Sequence, residues 1–88
     1  MSYRVTLSET AARQLRTLEK VDRERIVRGL RVLEENPFRS RPKAAIRPLE
    51  GTDPKKFRLR VGEYRAVYAV VGSEVKVIEV FARGRGYR

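Results

Sequence analysis

The 88-residue chain contains neither histidine nor cysteine. Without histidine it lacks the commonest general base and the commonest metal ligand. Without cysteine it has no disulfide, no thiol nucleophile and no zinc knuckle, an absence that fits a reducing cytoplasm. Its four serines, Ser2, Ser8, Ser40 and Ser73, fall in no nucleophile-elbow pattern, and there is no Walker sequence. Aspartate and glutamate do not cluster as metal ligands would. These absences leave a protein with no metal and no cofactor as the expectation. Long apolar runs are missing too: the longest uncharged stretch is Ala66 to Ser73, far short of the ~20 residues that span a bilayer. Met1-Ser-Tyr-Arg-Val places an arginine where the apolar part of a secretory signal would begin. A soluble, cytoplasmic chain with no membrane partner is expected.

What the chain has in excess is positive charge. Twenty-one Lys and Arg against eleven Asp and Glu leave a net charge of +10. Residues 1–37 carry eight basic and six acidic groups, residues 38–65 nine and three, and residues 66–88 four and two, so the middle segment holds +6. A site for a polyanion concentrates charge in this way, whereas a merely solubilising surface spreads it. Nucleic acid is favoured over an anionic membrane, because neither helix described next has one clean basic face. The length fits one domain, residues 1–88, burying roughly 60–65% of its unfolded surface around a thin core.

Tyr3 to Leu7 alternates polar and apolar residues and reads as a short strand. Ser8 is placed to cap a helix, with Glu9 in its first turn. The spacing of Ala11, Ala12, Leu15 and Leu18 predicts that helix to run to about Glu19. Asp22 is placed to cap a second helix with the stripe Ile26, Leu30 and Leu33, widened by Val27 and stopped by Asn36-Pro37. Gly29 inside it costs about 1 kcal/mol relative to alanine and fits a close approach to the first helix or the sheet. Phe38 to Lys55, with Pro42, Pro48, Pro54 and Gly51, reads as irregular, anchored through Leu49. Phe57 to Val71 reads as two strands about Gly62-Glu63, and Gly72-Ser73 turns into a last strand, Val75 to Ala82. The order is β-α-α-β-β-β. This is an α+β fold with an N-terminal helical hairpin packed on one face of a small, mainly antiparallel sheet.

The two strands about Gly62 carry the functional signal. Phe57, Leu59 and Val61 alternate with Lys56, Arg58 and Arg60, giving an apolar floor and a cationic ceiling. After the turn, Tyr64, Ala66, Tyr68 and Val70 share one face, and Arg65, Val67, Ala69 and Val71 the other. A strand apolar on both faces is central, covered above and below. Arg65 at its end is costly unless an anion meets it. The alternatives are a structural ion pair of Arg65 with Glu63 or Glu79, a solvated face for Arg58 and Arg60, and packing of Tyr87 on the sheet. Tyr64 and Tyr68 read as core. Arg39, Arg41, Lys43, Arg47, Lys55 and Lys56 are expected to contact RNA phosphates. RNA suits a kit of arginine, lysine and tyrosine, because its own 2′-hydroxyl can attack the neighbouring phosphate. The protein then need only position the backbone and neutralise the phosphorane. The planar guanidinium fork matches phosphate oxygens.

Arg-Leu-Arg-Val-Gly-Glu-Tyr-Arg-Ala-Val-Tyr at 58–68, preceded by Pro48-Leu49-Glu50-Gly51 and followed by Arg83 and Tyr87, resembles the RelE/ParE toxin superfamily. Within it the chain is most similar to RelE, the ribosome-dependent mRNA endonuclease of type II toxin–antitoxin pairs. The likeness covers essentially the whole chain, the helical hairpin included. It implies a metal-independent endoribonuclease that enters the ribosomal A site and cuts mRNA by 2′-hydroxyl attack, leaving a 2′,3′-cyclic phosphate. It also implies a cognate RelB-like antitoxin, an acidic peptide that wraps the toxin and blocks it. By the same resemblance Arg58 and Arg60 act on the 2′-hydroxyl and backbone, and Arg65 contacts the scissile phosphate. Arg83 or Arg85 and Tyr87 complete the catalytic set, Tyr87 stacking on a base or assisting proton transfer.

The strand positions that are lysine in some relatives are arginine here. Arginine stays protonated and cannot be an ordinary base, which leaves that role to ribosomal RNA, water or Tyr87. Two other functions are the alternatives: a ParE-like inhibitor of DNA gyrase, against which Arg58, Arg60, Arg65, Arg83 and Arg85 argue because that target needs no phosphate-cleaving site, and a non-catalytic nucleic-acid-binding module. An acidic antitoxin is expected in either toxin reading, met by the basic sheet face and an uncovered edge strand.

Overall fold

The computed structural model of the chain describes residues 2–84. Its elements are β1 (Arg4–Leu7), α1 (Glu9–Arg16), α2 (Lys20–Val32), β2 (Ala45–Leu49), β3 (Lys56–Val61), β4 (Tyr64–Val71) and β5 (Glu74–Ala82). The strands form one five-stranded sheet in the order β1-β5-β4-β3-β2. β1 runs parallel to β5, and the other three pairings are antiparallel. The α+β class and the mainly antiparallel sheet agree with the sequence.

One strand is additional. Ala45–Leu49, which the prolines marked as irregular, is β2, so the order is β-α-α-β-β-β-β. Pro48 is tolerated there because β2 is an edge strand, where a missing N–H can face away from the ladder. The anchor of this segment is correspondingly not Leu49, which is half-buried, but Ala44 and Ile46, both buried.

The helix boundaries also shift. Ser8 caps α1 as expected: its Oγ accepts from the Ala11 N–H at 3.0 Å while its hydroxyl donates to the Ile78 carbonyl at 2.7 Å. α1 ends at Arg16 rather than near Glu19, and the N-cap of α2 is Glu19 rather than Asp22. The connection is tight because side chains satisfy its carbonyls. The Thr17 hydroxyl donates to Gln14 O and the Arg23 guanidinium to Leu18 O. Asp22 thereby falls in the first turn of α2, free for another partner.

Ala11 and Leu15 of α1 and Ile26, Leu30 and Leu33 at α2 bury their side chains on Ile46, Leu59, Ala66, Tyr68, Val75, Val77 and Val80 of the sheet. Truncating any one of the large aliphatics here costs about 2–5 kcal/mol. Tyr68 is fully buried, its hydroxyl donating to Pro37 O at 2.6 Å and its ring stacked on Phe57 at 5.6 Å. Burial pushes the Tyr68 phenol well above its ordinary range. Gly29 makes its close approach to the sheet: a Cβ there would lie 2.7 Å from Cγ2 of Val61. Pairing of β4 with β5 slips between Val67 and Tyr68, leaving Ile78 unmatched. This bulge is stitched to α1 on both sides, by the Ser8 hydroxyl on Ile78 O and by Gln14 Oε1, which accepts from the Val80 N–H at 2.6 Å.

Candidate nucleic-acid interface

The face of the sheet turned away from the helices is the candidate site. Across it, Arg47 on β2 pairs in register with Arg58 on β3, and Arg58 with Val67 on β4. The next row toward the β3–β4 turn runs Ala45, Arg60, Arg65 and Phe81. Because cross-strand partners share a face with Cβ atoms about 4.5–5.5 Å apart, strict alternation alone brings four guanidiniums into one patch. Val67 and Ala69 beneath them are buried although no helix covers this side. Long basic side chains can lay apolar stems over such a floor while the charged heads reach solvent.

Two shallow clefts open on this patch. One of about 390 Å³ is lined by Ser40, Ala45, Ile46, Arg47, Arg58, Arg60 and Arg65. The other, about 510 Å³, is lined by Pro42, Lys43, Ala45, Arg60, Gly62, Glu63, Arg65 and Arg83. Ala45, Arg60 and Arg65 belong to both, so the clefts adjoin along the Arg60–Arg65 pair.

Like charges placed directly opposite in a sheet each cost about 0.2–1 kcal/mol, and Arg47–Arg58 and Arg60–Arg65 are two such pairs. Among the described residues no carboxylate forms an ion pair with any of the four. The alternative of an ion pair from Arg65 to Glu63 or Glu79 is therefore not what the structure contains. Nη1 of Arg65 instead donates to Gly62 O at 3.2 Å and Tyr64 O at 3.1 Å. Partial burial, and then the neighbouring guanidiniums of Arg58, Arg60 and Arg83, hold Arg65 below its ordinary range, with Glu63 opposing. An electropositive cluster left without internal neutralisation attracts an external anion.

Of the residues singled out from sequence, Arg58, Arg60, Arg65 and Arg83 come together with Lys43 and Arg47. Arg83 is held by its backbone N–H on Glu63 O at 2.6 Å, and its guanidinium lies 3.9 Å from the Glu63 carboxylate. Lys56 shares the face of Arg58 and Arg60, half-buried, whereas Lys55 and Arg39 are exposed and line neither cleft. Arg41 is directed elsewhere: its guanidinium donates to the carbonyls of Val32, Asn36 and Arg39, tying the loop to the C-terminal end of α2. Arg85 and Tyr87 lie outside the described residues.

Ser40, which no motif in the sequence singles out, lines a cleft while its Oγ accepts from the Ile46 N–H at 3.1 Å. Tyr64 packs against the core, as its face of the strand leads one to expect. Tyr64 is half-buried, and its hydroxyl donates to Asp22 Oδ2 at 3.0 Å, a bond that holds the phenol above its ordinary range.

No profile of a known sequence family matches the chain, and no curated protein sequence does. Solved structures do. One is a chain of the archaeal RelE–RelB complex from Pyrococcus horikoshii, with a TM-score of 0.80 and 31% identity, covering 98% of this chain and 100% of that one. Another belongs to the toxin–antitoxin complex RelBE2 of Mycobacterium tuberculosis, at 0.79 and 25%, covering 94% and 100%. The isolated RelE toxin of E. coli matches at 0.64 and 25%, covering 97% and 88%. The fold is thus that of a RelE/ParE-type toxin, a small α+β scaffold with an open sheet. The chain belongs to the RelE/ParE toxin family.

Proposed function

We propose that the protein is the toxin of a type II toxin–antitoxin pair and cleaves mRNA on the ribosome, arresting translation. The observation that carries this reading is the cluster of Arg47, Arg58, Arg60 and Arg65 on one sheet face, with no carboxylate partner among the described residues. An anion bound between these guanidiniums relieves their mutual repulsion. In the reaction, the 2′-oxygen of one nucleotide bonds to the adjacent phosphorus and the 5′-oxygen of the next nucleotide departs. The 2′-hydroxyl loses a proton and the leaving oxygen gains one. Arg60 and Arg65, shared by both clefts, sit where they can bracket the phosphate and stabilise the charge that grows on its oxygens. Arg47 and Arg58 on one side, and Lys43 and Arg83 on the other, fix the flanking backbone. The products are a 2′,3′-cyclic phosphate and a 5′-hydroxyl.

The partner is an acidic antitoxin, a reading supported by the complexes with RelB and by the charge of the outer face. Purified protein added to a cell-free translation reaction, with message 5′ ends mapped, tests the function. Cuts at ribosomal A-site codons are expected, reduced about 10²–10³-fold by Arg65→Ala. Intact message alongside normal protein synthesis overturns the proposal, and loss of DNA supercoiling activity in a gyrase assay assigns the chain to the other branch of the family.

A further inference from the structure

Three positions on one stripe of α2 meet three positions at the tip of the β3–β4 hairpin. Asp22, Arg25 and Gly29, spaced at i, i+3 and i+7, share a helix face. Asp22 Oδ2 accepts from the Tyr64 hydroxyl at 3.0 Å. Arg25 stands over the turn, since a Cβ on Gly62 would lie 2.8 Å from its Nη2. Gly29 lets Val61 in, its own would-be Cβ 2.7 Å from Cγ2. Val61, Gly62 and Tyr64 are three of the four residues between Arg60 and Arg65, whose guanidiniums face the opposite side of the sheet and repel each other. The tip is therefore loaded from the front by like charge and backed from behind by a helix.

We propose that Asp22 and Arg25 are positioning residues for the RNA site, holding the hairpin tip so that Arg60 and Arg65 stand at a fixed separation. The functional part rests on the nuclease reading above; the mechanical part does not. Neither residue touches the substrate. Asp22 acts through the Tyr64 hydroxyl, one residue from Arg65, and Arg25 acts by packing on the turn. Geometry errors of about 1 Å at a reacting centre cost up to ~10²-fold in rate, so a clamp behind the tip affects turnover rather than substrate capture.

The test compares Asp22→Ala, Asp22→Asn, Tyr64→Phe and the Asp22→Ala/Tyr64→Phe double variant in the full chain. Amide hydrogen exchange across the chain and ribosome-dependent cleavage are both measured. Asp22→Ala and Tyr64→Phe each raise exchange at the amides of residues 62–65 by roughly 3–10-fold, the scale of one lost hydrogen bond, and leave the α1 and β5 amides unchanged. Each lowers kcat by about tenfold with KM kept, the double variant is no worse than the worse single, and Asp22→Asn, which keeps an acceptor oxygen, restores both readouts. Wild-type tip exchange in Asp22→Ala overturns the clamp. So does exchange that rises equally everywhere, which marks general destabilisation. If the wild-type chain cuts no message while tip exchange still responds to Asp22, the clamp stands and the nuclease reading falls.

Discussion

If the cationic face is kept for RNA at the expense of stability, weakening it should make the protein more stable as it becomes less active. Arg60 offers the cleanest perturbation. It faces Arg65 across the β3–β4 ladder, is exposed, and its side chain makes neither a hydrogen bond nor an ion pair among the described residues, so its replacement removes repulsion and little else. Neutralising it as Arg60→Gln relieves about 0.2–1 kcal/mol, with the low end favoured by solvent exposure. Arg60→Glu replaces repulsion by attraction and roughly doubles the gain. For a domain of this size 1 kcal/mol corresponds to roughly 4–8 °C in Tm, so a rise of about 1–4 °C is expected for Gln and about 2–8 °C for Glu. Thermal unfolding by circular dichroism, at 50 mM and 500 mM salt, reads this directly. The order Glu above Gln above wild type should hold at low salt and narrow at high salt, where the Debye length shrinks. RNA affinity should follow the reverse order. Equal or lower Tm for Arg60→Glu, or differences indifferent to salt, would refute the argument that these charges strain the sheet.

Other outcomes follow from the same geometry. Gly62 has φ of 58° and Arg25 at its back, so Gly62→Ala should cost about 1–2 kcal/mol in chemical denaturation and lower cleavage. Tyr68→Phe orphans the Pro37 carbonyl and should cost about 1–2 kcal/mol. Tyr68 has a folded pKa raised above the ordinary value near 10, so its contribution is intact below pH ~10 and lost as pH rises through the folded value. Wild-type stability should therefore fall more steeply above pH ~10 than that of Tyr68→Phe. Arg47→Ala should weaken RNA binding at all sequences alike and reduce the salt slope of log K by roughly one.

Much of this was legible in the chain because period-two alternation decides a sheet face without reference to anything distant. Arg58 and Arg60 on one face and Leu59 on the other follow from the strand alone, and Gly29 announced a close contact by its unfavourable presence in a helix. Other features depend on partners far away in sequence. β2 was hidden because proline argues against a strand unless the strand is known to be an edge, which only the pairing order reveals. Asp22 looked like a cap because its true partner, Tyr64, is 42 residues away. Arg41 looked like a phosphate ligand because nothing local shows that its guanidinium is engaged by the end of α2. The outer cover of β4 was expected, since the strand is apolar on both sides. That this side carries the arginine patch instead of a second helical layer follows only from the assembled sheet.

The most direct test of the account is the chemical identity of the new 3′ end in message cut by the wild-type protein, read by mass spectrometry of the 5′ fragment. Guanidiniums that hold RNA while its own 2′-oxygen attacks predict a 2′,3′-cyclic phosphate. A 3′-hydroxyl, the mark of direct attack by water with departure of the 3′-oxygen, would contradict it.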